Sequence, residues 1–420
     1  MYFFPSYVAW REEGGAILVT SRLRANTVKL TDPQVQEEFR AMAACGGCDA
    51  LRTELAQFLH GQLLLINRQE LDAELRELKD VMEQTLLVTI MPTEACNFRC
   101  TYCYEDHVPR TLRRRTLDRI QEYIMQQSPK FRTVNISWFG GEPTLCKDVV
   151  LETAEMLQKL QQECGFVYTS SMTTNGYLLS LPDFLLYYNA GITSFQITLD
   201  GFSHDKTRPH VSGDGTLQTI LANLQALSQL PKEEYRFQIT LRYNILPDSA
   251  CDSWYDYLYT LFGQDNRFRV LVRAVGNWGG SSVDSLDLLQ GDGIPSALDR
   301  HTSYLKKIGL QSAENSDGPL SMICYAGFPH SMVFRADGTI GKCTVALYDP
   351  ANRIGYVDDT QGVLLDEDAN RRWYRAELAP ECTACKDMIS CLNLQCPNAR
   401  RLGASGRCDR FTPSQINMEV

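Results

Sequence analysis

The apolar positions of the chain change rhythm near residue 85. Before it, residues 16–20 and 26–30 have the short apolar or alternating runs of strands, and 62–66 could add a third. Leu51, Leu55, Phe58 and Leu59 recur at helical spacing, and Leu71, Leu75, Leu78 and Met82 do the same. Beyond residue 85, strand-like stretches (86–91, 134–139, 167–173, 194–199, 237–243 and 268–275) alternate with amphipathic helical stretches near 112–127, 147–163, 180–190, 216–229 and 251–263. Gly- and Ser-rich stretches at 279–282 and 312–319 then bracket one more helical pattern near 296–309, and mark a boundary.

Repeated strand–helix units imply a parallel sheet with crossover connections. The expected fold class is therefore α/β. Six such units fit an open, partial (β/α)6 TIM-like barrel or a doubly wound sheet, and either gathers ligands at the C-terminal ends of its strands. Three domains are expected. Residues 1–85 have a winged-helix-like inventory of two or three strands and three helices, which reads either as a helical cap or as a peptide-recognition module. Residues 86–315 form the barrel. Residues 316–420 hold seven cysteines and little periodicity, as suits a small fold organised by metal.

Composition narrows the classes. With 44% hydrophobic and 22% charged residues, the chain reads as an ordinary globular protein. A net charge of −10, from 41 Lys+Arg against 51 Asp+Glu, argues against nucleic acid as a partner, since that binding rests on neutralising phosphates. No run approaches the apolar length a membrane span needs, and the N-terminus lacks the pattern of a signal peptide, so a cytoplasmic protein with no membrane partner is expected. No Walker loop, G-x-G-x-x-G or HExxH occurs, which leaves nucleotide hydrolysis and nicotinamide chemistry without an anchor.

The fifteen cysteines are clustered, three between Cys96 and Cys103 and seven between Cys324 and Cys408. Clustered thiols in a reduced protein read first as metal ligands. Cys96-Asn-Phe-Arg-Cys100-Thr-Tyr-Cys103 begins just past the first barrel strand. Three thiolates on one short loop can hold three corners of a 4Fe–4S cube and leave the fourth iron open to a ligand. A zinc site lacking its fourth ligand, or three packed cysteines, is the alternative. Cys45-Gly-Gly-Cys48 is a lone CxxC without a strand–helix–strand context.

The C-x3-C-x2-C loop resembles the signature of the radical S-adenosylmethionine (SAM) superfamily. That resemblance implies a cluster whose open iron binds the amino and carboxylate groups of S-adenosylmethionine. One electron then splits the sulfonium and gives a 5′-deoxyadenosyl radical that abstracts hydrogen. Cys96, Cys100 and Cys103 would be the catalytic cluster ligands. Gly140-Gly141-Glu142-Pro143 follows the second strand and matches the segment that receives the cofactor's ammonium, with Glu142 as partner. Thr174-Asn175-Gly176 ends the third strand and would face the ribose. Thr198 and Asp200 end the fourth, and Arg208 after them is the candidate for the cofactor carboxylate. Arg242 and Asn244, at the end of the fifth, also point toward the site. Tyr102 matches the aromatic placed beside the adenine.

The C-terminal cysteines resemble the SPASM extension of the same enzymes, which carries two auxiliary 4Fe–4S clusters. By order, Cys382, Cys385, Cys391 and Cys408 would hold one cluster, and Cys324, Cys343 and Cys396 would supply three ligands of the other, whose fourth is unassigned. Four residues separate Cys391 from Cys396 where the family commonly has three. C-x2-C spacing by itself also suits structural zinc. The wording WFGGEP, TNGYLL, QITLDG and HDKTR is similar to maturases of ribosomally made precursor peptides (RiPP biosynthesis). The resemblance implies a peptide substrate, a leader segment bound by residues 1–85 through strand addition, a reductant such as flavodoxin or ferredoxin, and a thioether or other crosslink as product. The alternatives are formylglycine formation on a sulfatase and a non-enzymatic, zinc-stabilised binding protein.

Overall fold

The computed structural model describes residues 1–374 except 6, 22, 25, 280–282 and 314–322. The chain divides into two compact units. One comprises residues 1–83 with 323–329 and 372–374 of the described chain, and the other comprises 84–313 with 330–371.

In the first unit, β1 (Tyr2–Phe3) precedes a meander of β2 (Val8–Glu13), β3 (Ala16–Ser21) and β4 (Asn26–Leu30), with β3 in the centre. Helix α1 (Pro33–Ala44) starts where Asp32 Oδ1 accepts from the Gln34 and Val35 amides, at 2.8 and 3.2 Å, with Pro33 in the first turn. Strand β5 (Gly47–Cys48) pairs antiparallel with β1. Helix α2 (Glu54–Gly61), capped by Thr53, and α3 (Arg68–Glu83) follow. The second helical face read from the sequence holds, with Leu71, Leu75, Leu78 and Met82 all buried; of the first, Leu55 and Leu59 are buried, whereas Leu51 precedes the helix and Phe58 is 49% exposed. Residues 62–66 form no strand, and only Ile66 makes a bridge, to Phe3. The third strand is β2, which the alternation missed because five of its six residues are exposed. Its Trp10 packs edge-on against Phe39, 5.6 Å between ring centres. Glu74 is buried and takes the Tyr7 hydroxyl and the Arg24 guanidinium.

The second unit alternates strand and helix: β6 (Thr85–Ile90), α4 (Arg114–Gln127), β7 (Thr133–Trp138), α5 (Lys147–Cys164), β8 (Val167–Thr174), α6 (Leu181–Asn189), β9 (Ile192–Thr198), α7 (His204–Thr207), α8 (Leu217–Ser228), β10 (Gln238–Ile245), α9 (Asp252–Phe262), β11 (Phe268–Ala274) and α10 (Gly293–Ile308). Strands β6 to β11 lie side by side in chain order, all parallel. This is the α/β, partial-barrel sheet expected from the sequence. Residues 330–371, placed with the C-terminal extension by sequence, extend this sheet. Strand β12 (Ser331–Phe334) pairs parallel with β6, followed by antiparallel β13 (Thr339–Gly341), β14 (Arg353–Asp358) and β15 (Gly362–Leu365), and then by α11 (Glu367–Tyr374).

The two faces of the parallel strands differ. Val134, Ile136 and Trp138 of β7 are fully buried, and the helices supply matching residues such as Val150, Ala154 and Leu157. The alternate positions are polar. Asn135 donates to Thr169 at 2.9 Å, and the Ser137 and Ser171 hydroxyls meet at 3.1 Å. A polar inner face on an apolar-backed sheet leaves room for chemistry at the strand ends.

His301 of α10 is fully buried and pushed down to about 4 by burial, with Arg300 adding to the effect. Arg300 has only donors, so its contact with Nε2 at 3.5 Å makes that nitrogen an acceptor, and Nδ1–H faces the Tyr255 hydroxyl at 2.8 Å. The folded protein keeps this ring neutral, whereas the unfolded chain protonates it near pH 6.5. Stability should therefore be full above pH 6.5 and fall as the pH drops toward 4, by about 3 kcal/mol from this group. His301→Gln should flatten that part of the profile in denaturant titrations between pH 4 and 7. An unchanged slope would count against it.

Candidate active site

The cysteine loop leaves the C-terminal end of β6 and is closed at its base like a ribbon. The Glu94 amide donates to the Arg110 carbonyl and the Leu112 amide to that of Pro92, both at 2.9 Å. Two other segments hold it, one along its far part and one at its base. One runs beside it as a short ladder, with Thr101 N to Thr207 O at 2.8 Å, Arg99 N to Pro209 O at 2.9 Å and Val211 N to Asn97 O at 2.9 Å. Fully buried Phe98 anchors that ladder edge-on to Tyr177 and His210.

The other segment is Gly140-Gly141-Glu142. The Gly141 amide donates to Thr93 O at 3.1 Å and the Glu142 amide to Ala95 O at 2.9 Å. A Cβ on Gly140 would lie 2.4 Å from Thr93 O, and one on Gly141 would lie 2.2 Å from Ala95 O. The backbone at these glycines therefore packs directly on the residues leading into Cys96. Pro143 is buried and opens the short turn after them.

Glu142, 1% exposed, ties strand ends together. Its Oε1 accepts from the Thr144 amide at 3.1 Å and from the Thr144 and Thr174 hydroxyls at 2.6 Å each. Its Oε2 accepts from the Asn175 amide at 2.7 Å, which leaves that oxygen one acceptor site for a further donor. Burial raises its pKa despite these bonds. Asn175 reaches from β8 to the cysteine loop, with Nδ2 donating to Asn97 Oδ1 at 2.7 Å. Thr174 and Asn175 therefore support Glu142 and the loop with the side chains assigned by sequence to the ribose.

Tyr102 is the centre of a second network. Its hydroxyl donates to Asp200 Oδ2 at 2.5 Å and accepts from Arg208 Nη1 and Asn244 Nδ2, both at 3.0 Å. Arg242 Nε orients Asn244 from the same strand at 2.8 Å. Thr207 adds a bond to Asp200 Oδ2 at 2.9 Å. Thr198 ends β9, paired with Arg242 of β10. Burial raises the pKa of Asp200, opposed by the Arg208 charge.

Cys96, Cys100 and Cys103 are half-buried free thiols. Burial pushes Cys96 and Cys103 up to about 12, with the Glu142 and Glu105 carboxylates adding to it, and raises Cys100 as well. Unliganded, these are neutral thiols, and a metal centre must displace their protons. Among the described residues no three His, Cys, Asp or Glu side chains converge on a point that could hold one metal ion. A zinc ion would need its thiolates within about 2.3 Å of one centre. Three thiolates on one short loop can instead hold three corners of a 4Fe–4S cube, each on its own iron. Polar atoms left over around the loop suit a polar ligand too: Thr101 Oγ1, Glu105 Oε2, Asp200 Oδ1 and Arg208 Nε are all buried without a partner. The donor set therefore fits a three-cysteine cluster with a zwitterionic cofactor beside it.

Several members of this site were not singled out by sequence reading. Asn97 and the Pro209–Val211 ladder carried no motif. Glu94, 3% exposed, takes both Arg335 Nη2 at 2.8 Å and Arg110 at 3.2 Å and so ties the loop base to the β12–β13 hairpin. Of the auxiliary ligands, Cys343 is buried at the end of that hairpin, and Cys324 belongs to the first unit. Asn352 Oδ1 accepts from the Lys342 and Cys343 amides at 3.0 and 2.9 Å, which fixes the backbone at Cys343. Cys382, Cys385, Cys391, Cys396 and Cys408 lie outside the described residues.

Residues 90–248 match the family model of the radical SAM superfamily. The chain is 30% identical over 151 residues to the GTP 3′,8-cyclase of Haemophilus ducreyi, covering 36% of this chain and 42% of that protein. It is also 30% identical over 171 residues to that of Stenotrophomonas maltophilia, covering 40% and 49%. The chain thus spans under half the length of these curated relatives. In fold it is similar to anSMEcpe with bound AdoMet and Cp18Cys peptide, with a TM-score of 0.53 and 17% identity over 73% of this chain and 88% of that one. It is also similar to Streptococcus suis SuiB bound to its precursor peptide SuiA, with a TM-score of 0.50 and 13% identity over 96% and 97%. The α/β fold carries a radical SAM domain.

Proposed function

We propose that this radical SAM enzyme modifies a ribosomally made precursor peptide, forming a thioether or other crosslink. Cys96, Cys100 and Cys103 would hold the cluster. Glu142, through the free acceptor site of Oε2, would receive the ammonium of S-adenosylmethionine, and Arg208 and Asp200 would supply its remaining polar partners. When bound, these groups supply a 5′-deoxyadenosyl radical able to take hydrogen from an unactivated carbon. The chain's own share is positional. The Thr207–Val211 ladder and the Gly140-Gly141 socket hold the loop, and Tyr102 keeps the Arg208 guanidinium aimed.

One observation carries the peptide reading: the likeness to SuiB, crystallised with a precursor peptide, runs through 96% of this chain. The N-terminal unit supports it, since β2 is a sheet-edge strand with largely exposed residues, a surface to which an extended leader can add a strand. Cys324, Cys343 and Cys396, with Cys382, Cys385, Cys391 and Cys408, would hold two auxiliary 4Fe–4S clusters of a SPASM extension, and a flavodoxin or ferredoxin would supply electrons. Formylglycine formation on a sulfatase is the second reading, and it uses a peptide site of the same kind.

Anaerobically reconstituted enzyme with dithionite, S-adenosylmethionine and the precursor peptide encoded beside its gene should give a product lighter by two hydrogens, in mass spectrometry. GTP in parallel should return unchanged. Conversion of GTP with every peptide untouched would overturn the proposal. A formylglycine in a sulfatase peptide would select the second reading.

A further inference from the structure

The barrel has a second concave site at the end opposite the cysteine loop. A pocket of about 510 Å³ is lined by the first residues of β9 and β10 (Thr193, Ser194, Gln238), the start of β11 (Arg269), and the loops that lead into β10 and β11. Four of its lining residues are cationic: Lys232, Arg236, Arg267 and Arg269. In a chain of net charge −10 such a grouping runs against the average.

The four cations are not equivalent. Arg267 is consumed by the fold, paired with Asp265 at 2.7 Å and stacked 4.4 Å over Phe237. That pair neutralises Asp265, and no acidic residue lines the pocket. Lys232 gives one bond, to the Gln264 carbonyl at 2.6 Å, and retains two donors. Arg236 is exposed, and its guanidinium has no partner among the described residues. Arg269 Nε is buried with no partner.

We propose that this pocket binds a small molecule bearing a diphosphate. Two guanidinium forks and an ammonium suit phosphoryl oxygens, which guanidinium groups take in pairs. The volume falls in the range of small-molecule sites. Half-buried Tyr235 adds a ring to the lining that a bare diphosphate would not use and a nucleoside diphosphate would.

The test is calorimetric titration of the full-chain enzyme with inorganic phosphate, pyrophosphate and ADP. Pyrophosphate should bind more tightly than phosphate, and salt should weaken it. R236E, at an exposed position, and R269Q should each lower the affinity about ten- to a hundredfold. Saturating S-adenosylmethionine should leave the binding unchanged, because its candidate residues lie at the other ends of the strands. Equal affinity for pyrophosphate and ADP means that the diphosphate alone is read, and tighter ADP assigns the Tyr235 ring to a base. The assignment is overturned by wild-type enzyme that binds none of the three, by affinity indifferent to R236E, or by displacement with S-adenosylmethionine. R236E decides the matter if R269Q fails to fold.

Discussion

Replacing any one of Cys96, Cys100 and Cys103 by Ala is expected to abolish cluster binding while leaving the barrel folded. A cube bound by three loop thiolates has one open iron, and loss of a further ligand leaves two corners without protein. The thiols are only half-buried and belong to no strand or helix, so their removal takes little from the core. Anaerobically reconstituted wild-type protein should carry at least about four irons per chain on this loop. Each variant should lose that complement, together with all release of 5′-deoxyadenosine under dithionite. Its melting temperature, measured without iron, should stay within a few degrees of wild type. Cys45→Ala and Cys164→Ala, at exposed positions, serve as controls and should change neither iron content nor turnover. Full iron and full deoxyadenosine release in Cys100→Ala would remove the premise that this loop holds the catalytic centre.

The parts of the protein that were legible in the sequence are those in which one local rule acts alone. Strands β6 to β11 show as strand-like stretches because helices cover one of their faces, and the expected strands and helices of the barrel begin and end within two or three residues of their observed positions. The cysteine spacing is chemistry written at short range. What the sequence concealed depends on contacts between distant segments. Strand β2 was missed because exposed Trp10, Arg11, Glu12 and Glu13 carry no burial signal. The hairpin of β12 and β13 had a usable cue, since Asp337-Gly338 sits between two apolar stretches with Gly338 at φ +85°. Its attachment to β6, by parallel pairing of Ser331–Phe334 with Leu87–Ile90, could not be read locally. The same holds inside the site. Gly140, Gly141, Thr174 and Asn175 were expected to meet a cofactor, and in the structure their nearest partners are the loop and Glu142, because burial leaves few of their polar groups unpaired. Arg208 and Asp200 are the residues that still carry free, buried valences.

The close contact of these glycines with the loop sets the second large effect, expected for Gly140→Ala and Gly141→Ala. A methyl on Gly141 would meet Ala95 O at 2.2 Å, Ala95 C at 2.5 Å and Glu94 O at 2.7 Å. These are backbone atoms, held by the Glu94–Arg110 ribbon bond and by the Glu142 amide, so no side chain can swing away to make room. The strand end and the loop must separate, at about 1–3 kcal/mol for overpacking. Gly140 adds a backbone cost, because its φ of +117° is one that L-residues rarely adopt, worth about 1–3 kcal/mol more. Gly140→Ala should therefore be the more destabilising of the two in urea titration. The functional signature separates this from general destabilisation. Displacing residues 93–95 moves Cys96 relative to Cys100 and Cys103, which the ladder to Thr207–Val211 keeps in place. Gly141→Ala should then bind iron substoichiometrically and lose its cluster to a chelator faster than wild type at a temperature where both are folded. A control of similar stability cost in the core, Leu157→Ala of α5, should hold its cluster normally. Equal chelator rates for Gly141→Ala and Leu157→Ala would mean that Gly141 does not hold the cluster loop in place beyond its share in the fold.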